Sequence, residues 1–265
     1  MIQDKIADLM DQIRSAPGNQ NSRLALIQYL CLAADWDRAL KNLGQYQKLF
    51  PGDHESAGLF VHNIEAEVRR AHVMAGEMKP MMPAMPTAAE ALAQQHLALL
   101  ALYLDNKVAE SRAYGETLLA AQAANPCRIS HCQDMSQTMD SEAEWLMDTD
   151  GRLAMIWELF IEGKYYWLPL TEIKTVTMFT PQKTTDLLWP LTKVVFKDGR
   201  EFDGCTPARY PIDQTVTLTN DELMCRHTNW QEMGGLFCGR GQKTLGGSDM
   251  DVGLLDIRSI EFASV

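Results

Sequence analysis

Apolar residues recur at helical spacing through the first half of the chain and at alternating or short continuous spacing through the second, with the change near Trp145. Ile2, Ile6, Leu9, Met10 and Ile13 share one face of a helix over residues 2–14 that Pro17-Gly18 ends. Asn21 or Ser22 can cap the next helix, and helices over about 22–33, 36–49 and 56–74 follow, the last after Pro51-Gly52-Asp53. Between Asn21 and Pro51 the positions of Leu26, Leu30, Trp36, Ala39, Leu43 and Pro51 match a tetratricopeptide unit, with Asp35 just ahead of the second helix. A small Ala39 lets two helices cross closely, Trp36 fills the gap beside it, and Pro51 stops the second helix. One such pair cannot bury its own apolar face, so further helices must stack on it.

Lys79-Pro-Met-Met-Pro-Ala-Met-Pro86 interrupts the stack, because its three prolines exclude continuous helix and favour an extended connector. Thr87 with Glu90 has the spacing of a capping box, and helix is expected over 88–104 and, after a break at Asp105-Asn106, again to about Ala124. Between Arg128 and Arg152 stand six acids and no base, which reads as a solvated segment between domains. Strands are then expected over 153–161 and 165–170 around Glu162-Gly163-Lys164, and over 193–196 and 201–205 around Asp198-Gly199, whose Asp-Gly suits a type I′ turn. Others are expected near 215–218, 235–240 and 252–262, with one short helix at Thr184–Leu188. The fold class that results is α+β. An N-terminal tetratricopeptide-like α-helical superhelix over 1–126 and an acidic linker over 127–144 precede a β-rich domain over 145–265, a small twisted sheet or partly closed barrel.

At 265 residues, 46% apolar and 22% charged, the chain has the composition of a folded soluble protein. Its net charge of −11 divides into −3 for residues 1–125 (11 basic, 14 acidic) and −8 for 126–265 (13 basic, 21 acidic), a balance that disfavours nucleic acid. No apolar run is long enough to cross a bilayer and the start lacks the build of a secretory signal, so the expected address is the cytoplasm. Six cysteines, at 31, 127, 132, 205, 225 and 238, have no disulfide-framework spacing and read as free thiols.

The chemistry these residues offer is thin. The glycine-rich run from Gly234 to Thr244 lacks the Gly-Lys-Ser/Thr of a phosphate loop, because Gln242 precedes Lys243. Asp148-Thr-Asp150 has a fragment of calcium-loop spacing, yet the first and last ligand positions would be Leu146 and Trp157. Cys127, His131, Cys132, Cys225, His227 and Cys238 offer zinc ligands without the spacing of a zinc knuckle. No nucleophile elbow or His-Glu-x-x-His helix occurs, so neither a catalytic group nor a cofactor is assigned. Candidate partner contacts are Leu24, Gln28 and Leu32, four apart on the first repeat helix, and Trp189, Arg209 and Tyr210 in turn-like contexts before prolines. Met81, Met82 and Met85 offer an adaptable surface of the kind a peptide-binding chaperone uses.

A run of motifs in the second half carries a family resemblance: Asp150-Gly-Arg152-Leu153, Gly163-Lys-Tyr165-Tyr-Trp167-Leu-Pro169, Asp186-Leu-Leu-Trp189-Pro190 and Asp198-Gly199. It continues through Pro207-Ala-Arg-Tyr210-Pro211, Thr228-Asn-Trp230, Gly239-Arg-Gly241-Gln242 and Ile257-Arg-Ser-Ile260-Glu-Phe262. In order and spacing this resembles the ImpE family, also called SciE-type or TagJ, accessory proteins of the type VI secretion system. Asn229, where an acid is expected before the tryptophan, and Met147-Asp-Thr-Asp150 depart from the pattern. The resemblance implies a non-enzymatic cytoplasmic protein that binds the small, TssB-type subunit of the contractile sheath through that subunit's N-terminal helix, and is so connected to sheath turnover by the ClpV unfoldase. The rivals are a metal-dependent regulator or enzyme using the Cys/His set, and a generic chaperone.

Overall fold

The computed structural model describes residues 1–122, 124–134, 137–212 and 216–263, excepting the side chains of 54–56 and 133–134. Four helices, α1 (Ile2–Ser15), α2 (Gln20–Leu32), α3 (Trp36–Leu49) and α4 (His54–Met74), stack in chain order, and α5 (Thr87–Leu104) pairs with α6 (Val108–Ala120). Ile2, Ile6 and Leu9 bury the inner face of α1, and Ala39, 0% exposed, sits on the buried face of α3. Asp35 caps α3 by accepting from the Arg38 amide at 3.3 Å. The cap of α2 is Asn19, accepting from the Ser22 amide at 3.0 Å, rather than Asn21 or Ser22. Pro86 occupies the N-cap of α5, so Thr87 is already helical and makes no capping box there.

The strands β1 (Cys127–Asp134), β2 (Gln137–Ala143), β4 (Ile156–Ile161), β5 (Lys164–Pro169), β6 (Ile173–Met178), β7 (Leu191–Phe196), β8 (Glu201–Cys205) and β13 (Ile257–Phe262) form one eight-stranded sheet in the order β2-β1-β13-β6-β7-β8-β4-β5. Every pairing in it is antiparallel, and it is open, with β2 and β5 at its ends, rather than a closed barrel. Strands β3 (Leu146–Asp148), β11 (Thr244–Gly247) and β12 (Asp251–Gly253) make a three-stranded sheet, and β9 (Thr228–Met233) pairs with β10 (Leu236–Gly241). A short helix, α7 (Asn220–Leu223), precedes β9, and the helix expected near 184–188 is a 3-10 turn at Thr184–Leu187. Of the strand expected at 215–218, residue 215 lies outside the described residues and 216–218 are not in a strand.

Two expectations are corrected by this arrangement. Residues 127–144 are not a linker: Cys127, Ile129 and Ala143 are buried along one face of the β1–β2 hairpin, while Arg128, Asp140 and Glu142 stand on the exposed face. Of the acids that suggested solvation, Asp140 and Glu142 are the outer half of a period-two pattern, while Asp148 and Asp150 are buried. The type I′ turn falls at Glu162-Gly163, with φ of 48° and 75°, whereas at Asp198-Gly199 only the glycine is in the left-handed region, at 88°.

Both halves share one buried core, which runs from Ile27, Leu30 and Ile64 to Trp167, Ile173 and Ile260. Helix α4 lies on β4 and β5, α5 on β5, and α6 on β10. The proline connector is extended as expected, and it is also part of the sheet: the Met81 amide donates to the Tyr165 carbonyl at 2.8 Å and the Met81 carbonyl accepts from the Trp167 amide at 3.0 Å. Proline's lack of a donor restricts it to such edges, so this segment covers the outer side of β5 without extending the ladder. Denaturation in urea is therefore expected to give a single transition in which helix loss and tryptophan emission coincide; two resolved transitions would show that the halves fold separately.

Candidate functional site

The densest chemistry lies at the seam between helices and sheet. Burial of all but the last residue of β4 leaves Glu158, 1% exposed, facing α4 from within an apolar strand. Arg70 on α4 closes on it with both ends of its guanidinium, Nε to Oε1 and Nη2 to Oε2, each at 2.7 Å. Lys243, between β10 and β11, brings its Nζ to 2.7 Å from Glu158 Oε2 and 2.5 Å from Asp148 Oδ2. Tyr165 donates its hydroxyl to Glu158 Oε1 at 2.5 Å and accepts from Trp167 Nε1 at 2.6 Å. Beside this, Arg152 grips Asp150 at 2.8 and 2.6 Å, and the Gly239 amide donates to Asp150 Oδ2 at 2.8 Å. The network extends to Glu67, 3.5 Å from Arg70, which accepts from Trp189 Nε1 at 3.0 Å. Four cations, Arg70, Arg152, Arg209 and Lys243, face four carboxylates, Glu67, Asp148, Asp150 and Glu158, and all eight side chains are buried.

Neighbouring charges hold Arg70, Arg152, Glu158 and Lys243 in charged form, whereas burial raises the Asp148 pKa. Burial opposes ionisation of Glu158, but the adjacent Arg70 and Lys243 overcome it and bring its pKa down to about 2. Lys243 is desolvated too, yet Asp148 and Glu158 beside it raise its pKa. Tyr165 is pushed well above its ordinary value by burial and by the Glu158 charge, so it stays a hydrogen-bond donor. None of these is poised near neutrality as a general acid or base would be. A void of about 10 Å³ between Asp148, Trp157, Glu158, Thr206, Lys243 and Leu254 has room for one water. The arrangement is suited to holding charge and to joining two layers of structure.

The residues singled out in the sequence fall partly into this seam. Arg209 donates to the carbonyls of Leu32 at 2.8 Å and Leu223 at 2.9 Å, and its guanidinium lies 6.0 Å from the Trp36 ring centre. Trp36 in turn packs on Trp189 with ring centres 6.1 Å apart. Tyr210 donates to Asp148 at 3.0 Å, and its ring lies where a Cβ on Gly239 would stand. Leu32, Trp189, Arg209 and Tyr210 are thus buried, at 0, 3, 2 and 1% exposure, and do not form an outer contact surface. Trp189, Arg209 and Tyr210 face inward despite the turn-like context that suggested exposure, and the exposed tryptophans are Trp145 and Trp230. Leu24 and Gln28 remain half exposed on α2.

Lys243, the lysine of the glycine-rich run, is consumed by its two ion pairs, and Asp148 and Asp150 by theirs. All six cysteines are free thiols. Among the described residues no three His, Cys, Asp or Glu side chains gather to hold a metal ion, and no helix is long and apolar enough to cross a membrane. Arg70, Glu67, Glu158 and Lys243 were not foreseen as a group. A readable signal was Glu158, an acid inside Ile156-Trp-Glu-Leu-Phe-Ile161.

Residues 140–261, which hold the sheet-side members of the network, match the family model described as ImpE protein. The β-rich part of this chain belongs to the ImpE family. Similarity extends beyond the ImpE domain, for the chain is 27% identical over 262 residues to the type VI secretion system accessory component TagJ of Pseudomonas aeruginosa, covering 98% of this chain and 87% of that protein. The crystal structure of protein VPA1032 from Vibrio parahaemolyticus has the same fold, with a TM-score of 0.86 at 19% identity over 100% of this chain and 94% of that one.

Breaking the ImpE domain's pairing with α4 has a defined cost. Glu158→Gln leaves Arg70 and Lys243 buried against a neutral group, and the expected destabilisation in urea titrations is about 3–5 kcal/mol. Asp140→Asn, which removes the exposed ion pair with Arg128, should cost under about 1 kcal/mol. Equal effects would show that the network is energetically idle.

Acid should act in two steps. His96 is fully buried with neither ring nitrogen hydrogen-bonded, and burial, opposed by the Arg152 backbone nearby, lowers its pKa from 6.5 to about 4. A depressed folded-state pKa gives stability that is complete above the unfolded value and lost as pH falls toward the folded one. His96 therefore weakens the fold between pH 6.5 and about 4. Glu158 follows between 4.5 and about 2. His96→Leu should flatten the pH dependence of the melting temperature in the first interval only; an unchanged slope there would remove His96 as its cause.

Proposed function

We propose that this chain is a non-enzymatic cytoplasmic adaptor of a type VI secretion system. It holds the N-terminal helix of the small, TssB-type sheath subunit and is connected through it to sheath turnover by the ClpV unfoldase. The observation that carries the reading is the likeness over 98% of the chain to a protein named as an accessory component of that system. The helical half supports it physically: a tetratricopeptide-like stack leaves half-exposed apolar and amide groups, Leu24 and Gln28, along α2, and such a face suits an amphipathic helix. Trp189 and Arg209 are buried beside the end of α2, where Arg209 holds the Leu32 carbonyl, and they act on binding by setting the position of α2 against the sheet.

Titration of the full chain with a labelled synthetic peptide of the sheath subunit's N-terminus tests this. Micromolar affinity, about −8 kcal/mol, is expected for one short helix that must order on binding. Leu24→Ala and Gln28→Ala should each weaken it while the melting temperature changes little. Failure of the peptide to saturate the folded, monodisperse protein below about 100 micromolar would remove the sheath-helix reading.

A further inference from the structure

The two edges of the eight-stranded sheet are treated differently by the chain. At β5 the connector supplies backbone partners through Met81, so that edge is covered from within. At the other end β2 pairs only with β1 among the described residues, and a seven-residue strand presents its outer edge to solvent. Edge strands left open in this way are templates for a further strand.

Charge says which strand fits. Register places Asp140 and Glu142 on the exposed face of β2, opposite Ser130 and Arg128, and Arg128 is in turn opposite Glu261 on β13. Arg128 is hydrogen-bonded to Asp140 at 2.6 Å and is the one base among these three acids. The other face of β2 carries Met139, a large apolar side chain opposite His131 on β1 and 40% exposed. A second copy of β2 would bring these carboxylates opposite or diagonal to one another, which is repulsive. A strand with bases two apart would set them against Asp140 and Glu142, and its intervening apolar residues would cover Met139.

We propose that β2 is a docking edge for an extended partner segment of alternating basic and apolar residues, added as a ninth strand. This goes beyond the sheath-helix reading and does not depend on it, since the helix face at Leu24 and the strand edge at β2 are separate elements. The two are distinguished by which variants matter.

The test uses the full chain and a fluorescein-labelled octapeptide alternating Lys and Val, with an alternating Glu and Val octapeptide as control, followed by anisotropy and by amide hydrogen exchange. Expected are saturable binding of the basic peptide only, weaker at higher salt, and slowed exchange at every second amide of β2. Glu142→Lys should lower affinity about tenfold or more with an unchanged melting temperature. Because successive amides of a strand point to opposite sides, one of Met139→Pro and Asp140→Pro removes an inward donor and destabilises the hairpin. The other removes an outward donor, keeps the fold and abolishes binding; if both unfold, Glu142→Lys decides. No saturable binding, binding without protection of β2, or dimerisation through β2 in sedimentation measurements would each overturn the proposal.

Discussion

One carboxylate governs the geometry of this protein. Glu158 sits in a strand buried on both faces, where an unpaired charge is too costly to persist. It is ionised there because Arg70 reaches it from α4 and Lys243 from the connection between β10 and β11. Those two approaches fix the relation of three distant stretches of chain. Helix α4 must lie along β4 and β5, and the residues after β10 must return beneath β4. The connector after α4 then has little choice but to run beside β5, where Met81 joins the edge. Apolar packing supplies the bulk of the attraction between helices and sheet, but it is tolerant of sliding, whereas a bidentate arginine with a lysine on the remaining oxygen is not.

The same seam limits where function resides. A Lys, a Tyr and several carboxylates within hydrogen-bond reach of one another resemble catalytic machinery, yet each is satisfied by its neighbours, and Glu158 is held below its ordinary pKa while Tyr165 and Lys243 are held above theirs. Arg209 extends the seam outward by gripping the Leu32 carbonyl at the end of α2, with Trp36 and Trp189 stacked alongside. The two surfaces proposed for contacts with other molecules, the half-exposed side of α2 and the outer strand of the sheet, lie away from it. A change at the seam reaches both by shifting the elements that present them.

Much of the architecture was legible in the chain. Helical periodicity, Pro51 and the proline connector located the helices, and the Val, Ile and aromatic runs located β4, β5, β7 and β8. The ImpE motifs were legible as well, because they are strings of neighbouring residues. The β1–β2 hairpin was obscured by its acids, since a strand with a charged outer face has half the apolar content of a buried one, and Asp140, Glu142 and Glu144 looked like solvent exposure in general. Trp189 and Tyr210 were misplaced for the converse reason: a proline next in sequence marks a turn of the backbone and says nothing about the side the ring faces.

What the sequence determined by itself were the properties set by near neighbours: the helices, the apolar strands such as β4, β5 and β7, and the family to which the β-rich part belongs. What only the tertiary structure decided was which charges meet. Arg70 and Glu158 are 88 residues apart, and Lys243 and Asp148 are 95 apart. No local rule selects those partners from the 24 bases and 35 acids of the chain. Local propensity acts over a few residues, whereas an ion pair in a low-dielectric interior is settled by where the packed core leaves an opposite charge within about 3 Å.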